Sequence, residues 1–279
     1  MDALVSTEWL AGELGANDLR IVDATWFLDA GRDAAAEYEA EHIPGAVFMD
    51  LAGLADDKTE LPMMLPSAEK FASRMQSLGL GDGSRIVLYD NSPQHTSARA
   101  WWMLHLFGAH AVAVLDGGLA KWKAEAREVA TGKETLRHRH FTVWKDNGFV
   151  RTLGQMKDLL GSKVEQIVDA RSQPRFEGRE AEPRLGVNPG HMPGAKNLPM
   201  TTLFEADGTY KAKHALKAAF AEAGVDPMQP IAATCGSGIT AATVAFAAHL
   251  LGNPKIAVYD GSWSEWGAAP DTPKAIGAA

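Results

Sequence analysis

A pattern written twice along 279 residues constrains this chain more than any other feature. Ser6 precedes a helical pattern with Trp9, Leu10 and Leu14 on one face. At an offset of 146, Thr152 and Gln155 form a capping-box signature ahead of Met156, Leu159 and Leu160. Ile21-Val22-Asp23-Ala24 returns at the same offset as Ile167-Val168-Asp169-Ala170, and His42-Ile43-Pro44-Gly45-Ala46 returns as His191-Met192-Pro193-Gly194-Ala195. A period of half the chain marks duplicated domains, not a solenoid, whose repeats run to about 20–50 residues.

Later segments continue the match. Ile86 to Tyr89 reads as a strand, followed by a loop and a helical stretch from Ser97 to Phe107, with Gly108 as its C-terminal cap. Ile231 to Thr234, a glycine-containing loop and a helix closed by Gly252 form the partner set. Each half ends with a strand, Val112 to Leu115 and Ile256 to Tyr259, running into Asp116-Gly117-Gly118 and Asp260-Gly261-Ser262. Trp122 follows the first, and Trp263 and Trp266 the second; all three read as packing residues. Short apolar strands alternating with helical patterns predict an α/β fold in which each half is a mainly parallel sheet flanked by helices. Domain bounds of 1–128 and 150–279 follow, with the polar and basic stretch 129–149 as the linker.

The two halves differ at the end of their central strand. Cys235, the only cysteine, sits there in the second copy, and Asp90 takes its place in the first. Backbone N–H groups in a tight loop before a helix form a nest that stabilises an anion, and a thiolate in such a nest is a usable nucleophile. Only the second copy is equipped for cysteine chemistry; the first is expected to be an inactive copy that supplies one wall of the site. One cysteine excludes an internal disulfide, so nothing requires an oxidising compartment. The N-terminal residues lack a basic region and an apolar core, the longest apolar run is too short to span a membrane, and the net charge is −8. A cytoplasmic protein is expected, with neither nucleic acid nor membrane as partner. There is no metal-ligand cluster and no phosphate-binding glycine motif, so neither a metal nor a cofactor is expected.

The stretch Cys235-Gly236-Ser237-Gly238-Ile239-Thr240-Ala241 resembles the active-site loop of the rhodanese superfamily, and specifically its 3-mercaptopyruvate sulfurtransferases. The two His-x-Pro-Gly-Ala segments, Ala100-Trp101-Trp102-Met103 and Asp260-Gly261-Ser262-Trp263-Ser264-Glu265-Trp266-Gly267 carry the same resemblance. It covers nearly the whole chain and implies two tandem rhodanese-like domains, the second catalytic. It further implies that Cys235 takes sulfur from 3-mercaptopyruvate as a persulfide and releases pyruvate, a small thiol, a thioredoxin-like protein or cyanide then accepting the sulfur. Arg175 and Arg184 match the substrate-binding arginines of the family; Arg179 has no such role. Gly236, Gly238, Ile239 and Thr240 would line the substrate, and Ser237 would bond its sulfur or relay a proton. Thiosulfate-using members tend to carry cations in this loop, so the uncharged Gly236 and Ser237 favour mercaptopyruvate.

Two positions depart from the family pattern. Met63 stands where a first-domain histidine opens the matching segment, and Ala52 where an acid is expected. His95, after Asp90, is then either a substitute proton carrier or an exposed loop histidine. His42 and His191 read as turn residues. A Cys-based phosphatase is excluded by Ala241, where an arginine would close the loop. A thiosulfate sulfurtransferase and a non-catalytic persulfide carrier are the alternatives.

Overall fold

The computed structural model describes residues 1–278 and divides the chain into two units. The first comprises residues 1–56, 65–146 and 205–210; the second comprises 57–64, 147–204 and 211–278.

In the first unit the elements are β1 (Leu4–Val5), α1 (Thr7–Glu13), β2 (Leu19–Asp23), α2 (Ala34–Ala40), β3 (Ala46–Phe48), α3 (Leu51–Leu54), α4 (Ala68–Ser77), β4 (Arg85–Tyr89), α5 (Ser97–Leu106), β5 (Val112–Leu115) and α6 (Gly118–Ala124). The second unit has β6 (Val150–Arg151), α7 (Leu153–Ser162), β7 (Gln166–Asp169), α8 (Gln173–Phe176), β8 (Lys196–Asn197), α9 (Lys213–Glu222), β9 (Ile231–Thr234), α10 (Ala241–Leu250), β10 (Ile256–Tyr259) and α11 (Ser262–Trp266). Sheet order is β1-β5-β4-β2-β3 in one unit and β6-β10-β9-β7-β8 in the other, with every pairing parallel. The duplication read from the sequence is therefore a duplication of topology, strand for strand.

Local chemistry explains the matching starts. Ser6 Oγ accepts from Trp9 N at the head of α1, and Thr152 and Gln155 make the full reciprocal box at the head of α7. In both His-x-Pro-Gly-Ala turns the glycine is left-handed, with φ +76° at Gly45 and +78° at Gly194. His42 stacks on Tyr38 with ring centroids 4.3 Å apart, and His191 on Phe176 at 3.9 Å. Each imidazole is also fixed through Nδ1 to a backbone carbonyl, Tyr38 O and Phe176 O respectively. These are buried turn histidines.

Each sheet carries its own core: Leu10, Ile21, Val87, Ala113 and Trp122 in one, and Met156, Ile167, Ala232, Trp263 and Trp266 in the other. The three tryptophans are buried, and each indole N–H finds a backbone carbonyl: Glu128 O, Asn188 O and Pro273 O. Truncating a side chain of this kind costs about 3–5 kcal/mol. The helices after the central strands, α5 and α10, are apolar nearly all round and are buried along most of their length.

The segment that composition marks as a connector, 129–149, is well tied. Thr142 N and Oγ1 both donate to the Asp82 carboxylate, Asp82 N donates to His140 O, and Trp144 N donates to Phe107 O. Residues 129–146 thus run along the first unit. A polar, aperiodic sequence gives no sign of this, because the bonds are made largely by its backbone.

Candidate active site

The second unit builds its site at the carboxyl end of β9, the central strand of its sheet. Cys235 is the first residue past the strand and is buried, 2% exposed. The loop Gly236–Thr240 then turns sharply, with Gly238 left-handed at φ +78°, and enters α10 at Ala241. Among the described residues, the N–H groups of Gly236, Ser237, Ile239 and Thr240 donate to no protein acceptor. These amides lie between the thiol and the amino end of the ten-residue α10, the type of loop that can form an anion nest. Ser237 and Thr240 are half-buried, while Gly238 and Ile239 are buried.

The loop keeps this shape because its outward carbonyls are taken from behind by α11. Trp263 N donates to Cys235 O at 2.9 Å, and Ser264 donates to Gly236 O through both its N, at 2.9 Å, and its Oγ, at 2.6 Å. Ser262 closes the brace: its Oγ accepts from Cys235 N at 3.2 Å and donates to Tyr259 O at 2.8 Å. Ser262 holds φ +49°, a left-handed conformation that costs a non-glycine residue about 1–2 kcal/mol. Sequence reading assigned the tryptophans of the Asp260–Gly267 motif to packing and gave Ser262 and Ser264 no role, and so missed this brace. The first copy has Gly118 where Ser262 stands, and that difference was a visible signal.

Arg175, on α8, reaches the loop. Its Nη2 lies 3.1 Å from the point where a Cβ on Gly236 would sit. The same nitrogen donates to Glu182 Oε2 at 2.6 Å. A second arginine, absent from the expected set, stands behind it. Arg171 is buried, 1% exposed at its side chain, and grips Asp169 through Nε and Nη2 while Nη1 donates to Glu182 Oε1 at 2.7 Å. Its guanidinium also donates to Gly190 O at 2.8 Å and lies 4.5 Å over the Trp263 ring. Burial opposes the Arg171 charge, yet Asp169 and Glu182 together outweigh it and raise its pKa above the ordinary value. Glu182 therefore bridges a buried arginine and one that faces the loop. Arg171 was legible in principle: the repeat sets it against Thr25.

The other expected residues fall as follows. Arg184 lies exposed on the 177–190 loop, paired with no carboxylate among the described residues, and partial burial lowers its pKa. Arg179 pairs with Glu177. His95 belongs to the first unit, not the unit that holds Cys235. It is half-buried, so the exposed-loop reading is corrected; it has φ +47° and lines a cavity of about 220 Å³ with Asp90, Asp207 and Tyr210. Burial lowers its pKa, and Asp90 partly offsets that. Ala52 lies in α3 of the first unit, and Met63 in the 57–64 segment of the second. No cluster of three or more His, Cys, Asp or Glu suited to a metal occurs among the described residues. No helix among them is long and apolar enough to cross a membrane.

Comparison with known proteins gives this arrangement its context. The rhodanese-like domain matches residues 6–125 and again 152–269. The chain is 42% identical over 271 residues to the 3-mercaptopyruvate sulfurtransferase of Homo sapiens, covering 95% of this chain and 91% of that one. It is 40% identical over 272 residues to the thiosulfate sulfurtransferase of Cricetulus griseus, with the same two coverages. Among solved structures, SseA from Escherichia coli, described as a 3-mercaptopyruvate sulfotransferase, superimposes with a TM-score of 0.86 at 36% identity over 94% of this chain and 99% of that one. The chain belongs to the rhodanese family, with two rhodanese-like domains in tandem.

Proposed function

We propose that the protein is a 3-mercaptopyruvate sulfurtransferase whose nucleophile is Cys235. The observation that carries this reading is a buried thiol in a nest of uncommitted amides, with uncharged side chains in the loop and the Arg175 guanidinium beside it. The Cys235 thiolate attacks the substrate sulfur. An S–S bond forms, the C–S bond breaks, and its electron pair stays on carbon as the enolate of pyruvate, which takes up a proton. Arg175, aided by Arg184, holds the carboxylate and carbonyl, where the enolate charge develops; a planar fork suits that pair better than an ammonium. The loop N–H groups of Gly236, Ser237, Ile239 and Thr240 hold sulfur as a thiolate or persulfide anion, and Gly238 lines the substrate beside them. Ser237 sits on that loop with its hydroxyl available to relay the proton. In the second half-reaction an acceptor thiolate attacks the outer sulfur and Cys235 leaves as thiolate.

A small thiol or a thioredoxin-like protein suits the acceptor role. A single cysteine with no disulfide fits a reducing compartment such as the cytoplasm. Residues 150–279 form the catalytic domain and 1–128 the non-catalytic copy. Thiosulfate, a compact dianion, would meet no cation at Gly236 or Ser237, which favours the keto-acid.

Two measurements test the reading. Incubation with 3-mercaptopyruvate should add one sulfur to the intact mass, with release of pyruvate, and a thiol should remove it; repeated turnover separates an enzyme from a persulfide carrier. The ratio of kcat/KM for 3-mercaptopyruvate to that for thiosulfate should lie well above one. Equal or better use of thiosulfate would overturn the substrate assignment.

A further inference from the structure

Arg171 fills a socket in the second unit, and much of that socket recurs in the first unit without an arginine. Besides Glu182, which has no counterpart in the first unit's cavity wall, four groups meet the Arg171 guanidinium or carry it: Asp169, Arg171 itself, Gly190 O and the Trp263 ring. Their repeat counterparts are Asp23, Thr25, Glu41 and Leu119. The last match is structural as well, because Leu119 N donates to Asp90 O as Trp263 N does to Cys235 O. All four counterparts line one cavity of about 190 Å³, whose wall also includes Glu37, Tyr38, Asn91 and Lys123. Thr25 is too short to enter it and instead spends its N–H on Asp23 Oδ1 and its Oγ1 on Asn91 N.

We propose that this cavity is a binding site for a small guanidinium-bearing cation, which would occupy the place that Arg171 takes in the other unit. Asp23 is the anchor: the residue is 2% exposed and lines the cavity, and among the described residues no cation pairs with its carboxylate. Its partners are neutral donors, Thr25 N and the Tyr89 hydroxyl. The two other acids on the wall already carry partners, Glu37 with Arg32 and Glu41 with Lys123. A planar cation would supply the charge that the counterpart carboxylate, Asp169, receives from within its own chain. The cavity meets solvent at Ala40 and Lys123, both exposed.

Burial pushes the Asp23 carboxyl up to about 6; hydrogen bonds from Thr25 and Tyr89 pull it back, and Asp90 adds to the rise. Binding requires the ionised form, so affinity should fall as pH drops through that value. The groups facing Asp23 are Glu37 and Tyr38 on α2, Glu41 just past it, Tyr89 and Asp90 at the carboxyl end of β4, and Lys123 on α6.

The probe is methylguanidinium chloride, titrated into the full-length protein against potassium chloride at equal ionic strength, with the amide resonances of Thr25 and Asn91 as readout. A saturable shift with methylguanidinium alone is expected, about tenfold weaker at pH 5 than at pH 7.5. Thr25→Arg should abolish it by placing an internal guanidinium in the cavity. Asp23→Asn, which keeps an acceptor for Thr25 N, should weaken it at least tenfold. If Thr25→Arg fails to fold by circular dichroism, Asp23→Asn decides. A shift that potassium reproduces, or one that Asp23→Asn leaves unchanged, overturns the proposal.

Discussion

The loops after β4 and β9 leave equivalent strands and enter equivalent helices, yet only one is left with donors to offer. In the first unit Asp90 turns its carboxylate inward and consumes the donors itself, with Oδ1 accepting from Ser92 N at 2.9 Å and Oδ2 from Ser97 N at 2.8 Å. That loop spans Asp90 to Thr96, one residue longer than Cys235 to Thr240, so the carboxylate reaches back to cap α5. In the second unit a thiol replaces the carboxylate and the loop amides remain uncommitted. The brace differs to match. Gly118 stands at φ +55° against Asp90 O, while Ser262 stands at φ +49° with its hydroxyl on Cys235 N. One scaffold thus gives a self-satisfied loop or one with uncommitted amides, according to whether a carboxylate takes up the loop donors.

The contrast breaks most sharply at the nucleophile. Cys235→Ser should lower turnover of 3-mercaptopyruvate by about 10³-fold or more, since a hydroxyl in the same nest is not a usable sulfur nucleophile. Pyruvate release and persulfide mass check it, and substantial residual turnover would end the cysteine reading. Arg175→Ala removes the guanidinium beside Gly236 and should cost about 10²-fold in kcat/KM, the scale of losing charge-assisted bonds to an anion. Lysine there should restore only part of it, because its ammonium lacks the fork.

Gly118→Ala sharpens the comparison from the first unit. A Cβ there would lie 2.3 Å from Asp90 O in a left-handed backbone, so a loss of about 2 kcal/mol and a fall of several degrees in Tm are expected. An unchanged Tm would mean the two braces are less alike than their hydrogen bonds indicate. Ser262→Ala should have the smallest effect, about three- to tenfold in kcat, since it removes one acceptor from Cys235 N and leaves the backbone conformation in place. Ser262→Gly relieves the backbone strain but loses the same bond. Equal activity and higher thermal stability in Ser262→Gly than in Ser262→Ala would therefore separate positioning from strain.

Much of the fold was legible because duplication doubles every local signal. The strands Val112–Leu115, Ile231–Thr234 and Ile256–Tyr259 fall where apolar runs predict them, and the Thr152–Gln155 box caps α7 as its spacing requires. Cys235 was legible for the same reason, as the position where two otherwise matching strands part. Arg171 was not singled out, since an arginine two residues past a strand looks like any surface cation until Asp169 and Glu182 are seen to enclose it. The 129–146 stretch resisted reading because its anchors are largely backbone groups, which carry no residue signature.

By itself, then, the sequence determined two α/β domains of one topology, a single cysteine at the end of the second central strand, and an arginine-rich segment ahead of His191. These rest on periodicity, capping and residue identity, all local properties. Only the tertiary structure decided that α11 braces the loop through Ser262, Trp263 and Ser264, that Glu182 joins Arg171 to Arg175, and that Asp90 closes the first copy's nest on itself. Each of these depends on which donor meets which acceptor, often across distant parts of the chain, and that pairing is set by packing.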